Sequence, residues 1–332
     1  NDLAEIAGWI GCNERCCMAA HELANQMAFA RLSLEALNLL SSEVHQSTND
    51  RVTTDSLDGI PEWFIGPLLS DLVCHEVGHT LGLRHNFKAS SLYTMEEINS
   101  EGIAGKKAFA SSVMDYIPLN FNFETGEVQG DYAMIDIGPY DYWAIEYGYT
   151  TGDPKEVLKK SSDPAHAYLT DEDTSGPDPL AKRYDFSKDP LTFAQNQMRI
   201  VKKLRESLLS DFVKDGDSWA KARQGYDTTF RMQTSMASML ADWIGGAHVT
   251  RNKKGDFAEE EGQTPVTPVN VDQQRAALDF IVQNVFDEEL LLDNIEDHWN
   301  KIKTMSGSFI QYNSDETMSY GDFYLSKPFK SK

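Results

Sequence analysis

The chain has 332 residues, 52 of them acidic and 30 basic, and its formal net charge is −22. Such acidity argues against nucleic acid and anionic membranes as partners. A hydrophobic content of 41% and an aromatic content of 11% are typical of globular proteins, and this length suffices for one large domain or two. No apolar run approaches about 18 residues, so the sequence predicts no membrane span.

The N-terminal region, residues 1–65, is predicted to be mainly helical. Residues 13–44 carry apolar side chains at spacings of three and four, which predicts a long amphipathic helix. We expect it to pack against the helix that follows a polar loop at residues 46–62. The apolar side chains of this pattern are Leu23, Met27, Ala30, Leu34 and Leu37.

The four cysteines leave the cellular compartment open. Cys12, Cys16 and Cys17 are clustered, and Cys74 lies apart from them. A disulfide from Cys12 to either neighbour and free buried thiols are both compatible with this spacing. On a helix Cys74 points about 100° away from the next residue, so we do not expect it to share that residue's metal.

The stretch HEVGHTLGLRH, which begins at His75, has the spacing of a catalytic metal site. On a helix, His75 and His79 are about 40° apart around the axis and about 6 Å apart along it, so both rings reach one ion. Glu76 lies about 100° round the helix, where it serves better as a general base than as a ligand. Gly82 can adopt a left-handed conformation and end the helix, which returns His85 to the same ion.

The start of this helix is predicted at Pro67, because proline is favoured at the first helical position. A buried amphipathic helix with incidental histidines is the alternative. Three histidines at this spacing, together with Glu76 and Gly82, favour the metal site.

This stretch resembles the zinc signature of the metzincin metallopeptidases. The resemblance implies a methionine turn beneath the metal, and Ser-Val-Met-Asp-Tyr at residues 112–116 is similar to that turn. It implies that Met114 supports the site with a soft, adaptable side chain. It also implies that Tyr116 lies near the metal.

Residues 137–149 resemble the helix that closes a metzincin catalytic domain. Gly138 and Pro139 are typical of a helix start and Gly148 of a helix stop. An ordinary amphipathic helix is equally compatible with these residues. The whole run from His75 to Tyr149 is most similar to a bacterial family of large, poorly characterised zinc-dependent metallopeptidases.

One feature departs from the metzincin pattern. The resemblance implies a twisted β-sheet before the active-site helix, whose edge strand holds the peptide, and residues 1–65 do not supply it. Members of the bacterial family are much longer than this chain. We therefore expect the chain to begin inside a larger protein, and we expect an extracytoplasmic location, either periplasmic or secreted.

The predicted fold class is mainly α with minor β. Residues 1–150 are predicted to form a metzincin-like zinc catalytic domain without the upstream sheet, and residues 151–332 a mainly helical C-terminal domain. Asp171 begins a stretch that resembles a calcium loop, but a solvated acidic turn fits it better. The tail after Thr304 is polar and aromatic and shows no clear hydrophobic period. Helices are predicted at residues 190–213, 218–244, 271–286 and 288–299, and a short hairpin at 249–251 and 265–267. Asp189 is predicted to cap the first of these helices. In the second, the stripe formed by Met232, Met236 and Met239 is predicted to be a core face and not a cofactor site.

The predicted function is zinc-dependent peptide hydrolysis by a metalloendopeptidase. His75, His79 and His85 bind Zn²⁺, and Glu76 is the general base. Tyr116 stabilises the oxyanion, ligates the resting metal or simply packs. A non-catalytic zinc-containing binding module and hydrolysis of a non-peptide amide or ester are the alternatives. The expected partner is a peptide or protein substrate, and the oligomeric state is open.

Overall fold

The computed structural model describes the chain in seven segments. They are residues 18–36, 56–57, 60–123, 128–251, 265–286, 304–312 and 318–326. These segments are mainly helical with short antiparallel sheets, which confirms the predicted fold class. The helix predicted at residues 288–299 and the clustered cysteines Cys12, Cys16 and Cys17 lie outside them.

The helices of the described segments are listed here in chain order. They are α1 (Ala19–Ala36), α2 (Glu62–Thr80), α3 (Met95–Ile98), α4 (Pro139–Tyr149), α5 (Pro154–Leu158), α6 (Pro190–Ser207), α7 (Trp219–Ala241) and α8 (Val271–Val285). The strands are β1 (Ser56–Leu57), β2 (Ile60–Pro61), β3 (Ala247–Val249), β4 (Val266–Pro268), β5 (Thr304–Tyr312) and β6 (Met318–Ser326). β1 pairs with β2, β3 with β4 and β5 with β6, always antiparallel. None of these helices is long and apolar enough to cross a membrane.

Helix α1 lies against α2, α6 and α7. Its apolar face is buried, with Ala30 and Leu34 fully inaccessible to solvent. The Gln26 side-chain oxygen accepts the Leu119 N–H at 3.0 Å, which ties α1 to the segment after the predicted methionine turn. The predicted packing of this helix against α2 is therefore confirmed.

Helix α2 begins at Glu62, so the predicted start at Pro67 is wrong. Phe64, Ile65 and Leu68 are buried, and this apolar face extends the helix upstream of the proline. Pro67 lies inside the helix on its exposed side, where it leaves one backbone hydrogen bond unmade. At the other end Gly82 has φ +88°, the left-handed conformation predicted for the residue that turns the chain.

The region after residue 150 is built on α6 and α7, which pack against each other. The Asp189 carboxylate accepts the Thr192 N–H at 3.1 Å and caps α6, as predicted. Met236 and Met239 of α7 are buried, which confirms them as core residues. Strands β3 and β4 form the predicted short hairpin, with Val249 paired to Val266.

Spatial contacts divide the chain into Asn1–Ile281 and Val282–Lys332. Helix α1 contacts α6 and α7, which lie beyond the boundary predicted near residue 150. Within the second unit, β5 and β6 form a hairpin of two nine-residue strands. These strands were not predicted, because the sequence after Thr304 shows no clear hydrophobic period.

Candidate metal centre

The three histidines of the sequence motif converge on one point. His75 and His79 project from one face of α2, and the turn at Gly82 brings His85 back to them. One ring nitrogen from each histidine lies within 4.8 Å of the others. The Nε2 atoms of His79 and His85 are 3.2 Å apart. Two ligand nitrogens of a tetrahedral zinc ion are about 3.3 Å apart, so this spacing fits zinc.

In each of the three rings Nδ1, called here the outer nitrogen, contacts an oxygen of the chain. Because carbonyl and carboxylate oxygens only accept hydrogen bonds, each Nδ1 is the donor, and Nε2 is the nitrogen left to bind a metal. Oxygens that accept from the ring nitrogen opposite the metal fix the orientation of metal-binding imidazoles. The contacts run from His75 Nδ1 to the Val113 carbonyl at 2.7 Å, from His79 Nδ1 to the Leu83 carbonyl at 3.0 Å, and from His85 Nδ1 to the Asp171 carboxylate at 3.0 Å.

The protonation of the rings suits metal binding. His75 is 3% exposed, and burial lowers its pKa to about 4 against the raising effect of the Val113 carbonyl. Burial also lowers the pKa of His85, against the raising effect of Asp171. Both rings are therefore neutral near pH 7, and neutral imidazole is the form that binds a metal.

Asp171 is a residue of the centre that the sequence did not reveal. It lies in a short 3₁₀ turn, Asp171–Asp173, where the sequence resembled a calcium loop. Its carboxylate accepts from His85 and, at 2.9 Å, from the Arg183 guanidinium. Burial raises the pKa of Asp171, but these two partners outweigh burial and hold it below the ordinary value. The carboxylate thus stays ionised and orients His85.

Met114 lies beneath the histidines, as expected from its resemblance to the methionine turn. Its side chain is fully buried. A Cβ atom added to Gly78 would lie 2.3 Å from the Met114 sulfur, so the side chain packs directly against α2 between the two helical histidines. Only glycine at position 78 leaves room for this contact.

Asp141 of α4 connects the closing helix to His75. The side chain is 1% exposed. Its carboxylate accepts the N–H groups of Val113 and Gly138, each at 2.9 Å, and the Ser112 hydroxyl at 2.5 Å. Burial raises the pKa of Asp141, and these three donors oppose the rise. Since the Val113 carbonyl accepts from His75, the start of α4 fixes the residue that orients the first ligand.

Tyr116 reaches the centre with its hydroxyl. The side chain is 5% exposed, and its oxygen is 3.0 Å from His85 Nε2. The Met18 N–H donates to the same oxygen at 2.8 Å. The ring stacks on Tyr184, with the two centroids 5.9 Å apart. The phenol is thus fixed where a ligand or an oxyanion donor would act.

Glu76 and Cys74 flank the first ligand on α2. Glu76 is exposed to solvent and does not belong to the converging group. The role of Glu76 as a general base stays a prediction. Cys74 is half-buried with a free thiol and is likewise outside the group.

Comparison with known proteins identifies the family of the chain. A sequence profile described as Met-zincin matches residues 58–322, which is more than half of the chain. The chain belongs to the Met-zincin family. Comparison with curated proteins and with solved structures gives no significant match.

The donor set of this Met-zincin fits the zinc that its family implies. Three histidines are a known ligand set of catalytic zinc. The Nε2 atoms of His79 and His85 lie 3.2 Å apart, and each is the ring nitrogen that the carbonyl and carboxylate oxygens of the chain leave uncontacted, so a shared cation fits between them.

Proposed function

We propose that this Met-zincin is a zinc-dependent endopeptidase that hydrolyses peptide bonds in a protein or peptide substrate. The observation that carries the proposal is the convergence of three imidazoles whose outer nitrogens are all held by the chain. Among the described His, Cys, Asp and Glu side chains, no fourth joins this group. A structural zinc is usually closed by four protein ligands, whereas a catalytic one leaves a position open. The donor set therefore favours catalysis over the alternative of a non-catalytic zinc-containing module.

The chemistry follows from the positions of the side chains. His75, His79 and His85 would hold the Zn²⁺, which when bound would supply Lewis-acid activation of a water and of the scissile carbonyl. Glu76 takes the proton from the attacking water and passes it to the leaving amine. The Tyr116 hydroxyl, 3.0 Å from His85 Nε2, donates to the oxyanion of the tetrahedral intermediate.

The test is the substitution Glu76→Gln in the zinc-loaded chain. Because it removes the general base and leaves the three ligands in place, we expect kcat/KM on a mixed peptide library to fall by about 10²–10⁴-fold. Zinc content, measured by elemental analysis, stays unchanged. The matched control is Glu62→Gln, an exposed glutamate in the first turn of the same helix.

Cleavage by the Glu76→Gln variant at the rate of the parent contradicts the mechanism. Cleavage of ester or non-peptide amide substrates alone would assign the centre to a different hydrolase. The control variant is expected to retain the activity and the zinc of the parent.

A further inference from the structure

A second site lies beside the metal centre in a cavity of about 320 Å³. It is enclosed by α1, α6, α7 and the segment after the methionine turn. Ligand sites in proteins have volumes of about 300–1,000 Å³ and apolar walls with a few polar groups. The apolar walls of this cavity include Phe29, Leu119, Phe193, Met232 and Met236. Its size and lining are those of a ligand site.

Gln197 belongs to the wall of the cavity. The residue is 1% exposed, and its side-chain oxygen is buried without a hydrogen-bond partner. A buried acceptor without a donor destabilises a fold, and most such groups in proteins are paired. Because this oxygen is inaccessible to solvent in the unbound chain, a ligand N–H or O–H group reaches it only when the amide turns toward the cavity.

Arg231 supplies a positive charge at the same cavity. In this chain of net charge −22, its guanidinium has no carboxylate partner among the described residues. Its one polar contact is an Nε–H bond to the Asp227 carbonyl at 3.4 Å. Arg84, by contrast, pairs with Glu172 at 2.7 Å. The guanidinium of Arg231 has the geometry to donate two parallel hydrogen bonds to the oxygens of a carboxylate.

The cavity adjoins the metal centre. Gln26, Pro118 and Leu119 line it and also line a smaller cavity of about 60 Å³. His75 and Tyr116 form part of the wall of that smaller cavity. The two cavities therefore share one wall, so an extended chain that lies at the metal has the larger cavity beside it.

We propose that the larger cavity binds the C-terminal end of a peptide whose last side chain is apolar. The terminal carboxylate pairs with Arg231, a backbone N–H donates to the Gln197 oxygen, and the side chain packs among Phe29, Phe193 and Met236. This assignment rests on the proposed function, because it makes the cavity the subsite in which the endopeptidase holds the C-terminal residue of a short peptide substrate.

The first experiment measures binding rather than turnover. Zinc-loaded chain that carries Glu76→Gln is titrated by calorimetry with N-acetyl-Gly-Leu-Phe as the free acid and as the C-terminal amide. We expect the acid to bind at least about 10-fold more tightly, because a charge-assisted bond to Arg231 is lost in the amide. Arg231→Gln abolishes the difference. Arg223→Gln, an exposed arginine on the same helix outside the cavity, preserves it.

The second experiment addresses the unpaired amide. Gln197→Met keeps the length of the side chain and removes the buried polar group, so we expect a higher Tm for the unbound protein. We expect weaker binding of the acid and the amide alike. A lower Tm or an unchanged affinity overturns the role of Gln197, and equal binding of acid and amide by the parent overturns the carboxylate site.

These outcomes separate the two proposals. If the acid binds selectively but the chain with Glu76 intact cleaves no peptide, the cavity stands and the proposed function fails. If that chain cleaves peptides but acid and amide bind equally, the proposed function stands and the cavity assignment fails.

Discussion

The metal centre and the larger cavity differ in how the chain satisfies their polar groups. At the centre, the outer nitrogens of His75, His79 and His85 all meet an oxygen of the chain. In the cavity, the Gln197 oxygen has no partner and Arg231 has no carboxylate among the described residues. A group that is fully partnered fixes the geometry around it. A buried group without a partner instead destabilises the fold until a donor or acceptor completes it.

The largest effect is expected from removing a ligand of the centre. His79→Ala leaves two imidazoles, so we expect zinc affinity to fall by more than the roughly 10–100-fold lost when an outer partner is removed. Competition with a fluorescent chelator measures this change. His166→Ala is the control, because that ring stacks on Trp143 away from the centre. Equal zinc affinity of both variants would exclude His79 as a ligand.

The next effect tests whether an outer partner matters. Asp171→Asn weakens the acceptor that orients His85, and we expect zinc affinity to fall about 10–100-fold. Glu172→Gln is a matched control, because this neighbouring carboxylate bonds Arg84 and not a histidine. The same chelator competition compares them. If both variants bind zinc with the affinity of the parent, the hydrogen bond from His85 to Asp171 does not determine the zinc affinity of the centre.

The pair of buried carboxylates Asp115 and Asp185 is only partly satisfied, so it lies between the metal centre and the larger cavity in this respect. Asp115 and Asp185 are both buried and both bond Ser90, through its N–H at 3.0 Å and its hydroxyl at 3.1 Å. The second oxygen of Asp185 has no partner. Burial raises the pKa of Asp115 to about 8. Burial and then the charge of Asp115 hold the pKa of Asp185 well above its ordinary range.

The last effect is therefore a pH dependence of stability, which is measured on the fold and not on the metal. A carboxyl whose pKa is higher in the folded state keeps a proton that the unfolded chain releases above about 4, so its stabilising contribution is lost as the pH rises. Each such group lowers the free energy of unfolding by up to about 1.4 kcal/mol per pH unit. Asp185→Asn should flatten this decline between pH 5 and pH 8 in urea denaturation. Asp279→Asn, at an exposed site on α8, should not, and equal slopes would refute the shift.

The local features of the centre could be predicted from the sequence. The histidine spacing and the turn at Gly82 depend on helix periodicity and on short chain distances, whereas the position of Met114 was implied by the resemblance to the metzincin methionine turn. The start of α2 was wrong because a proline preference is local, whereas the burial of Phe64 and Ile65 depends on the whole core. The strands β5 and β6 were missed because their polar and aromatic residues show no clear alternation.

The partners of the histidines could not be predicted. Asp171 lies 86 residues from His85, and Asp141 lies 28 residues from the Val113 N–H that it accepts. An aspartate that orients a ligand has the same local sequence as one that caps a turn. Only the folded chain distinguishes them, and the same holds for Gln197 and Arg231.

The outer hydrogen bonds of the centre also set the order in which it can form. His75 and His79 come together as soon as α2 is helical, because they are one turn apart. The outer partners of His75 and His85 arrive later, since the Val113 and Asp171 bonds close loops of 38 and 86 residues. An early metal ion would meet rings that these bonds do not yet hold, and a late one would meet three fixed rings. Full affinity is thus a property of the closed fold, and the metal in turn stabilises that fold over every partly folded form.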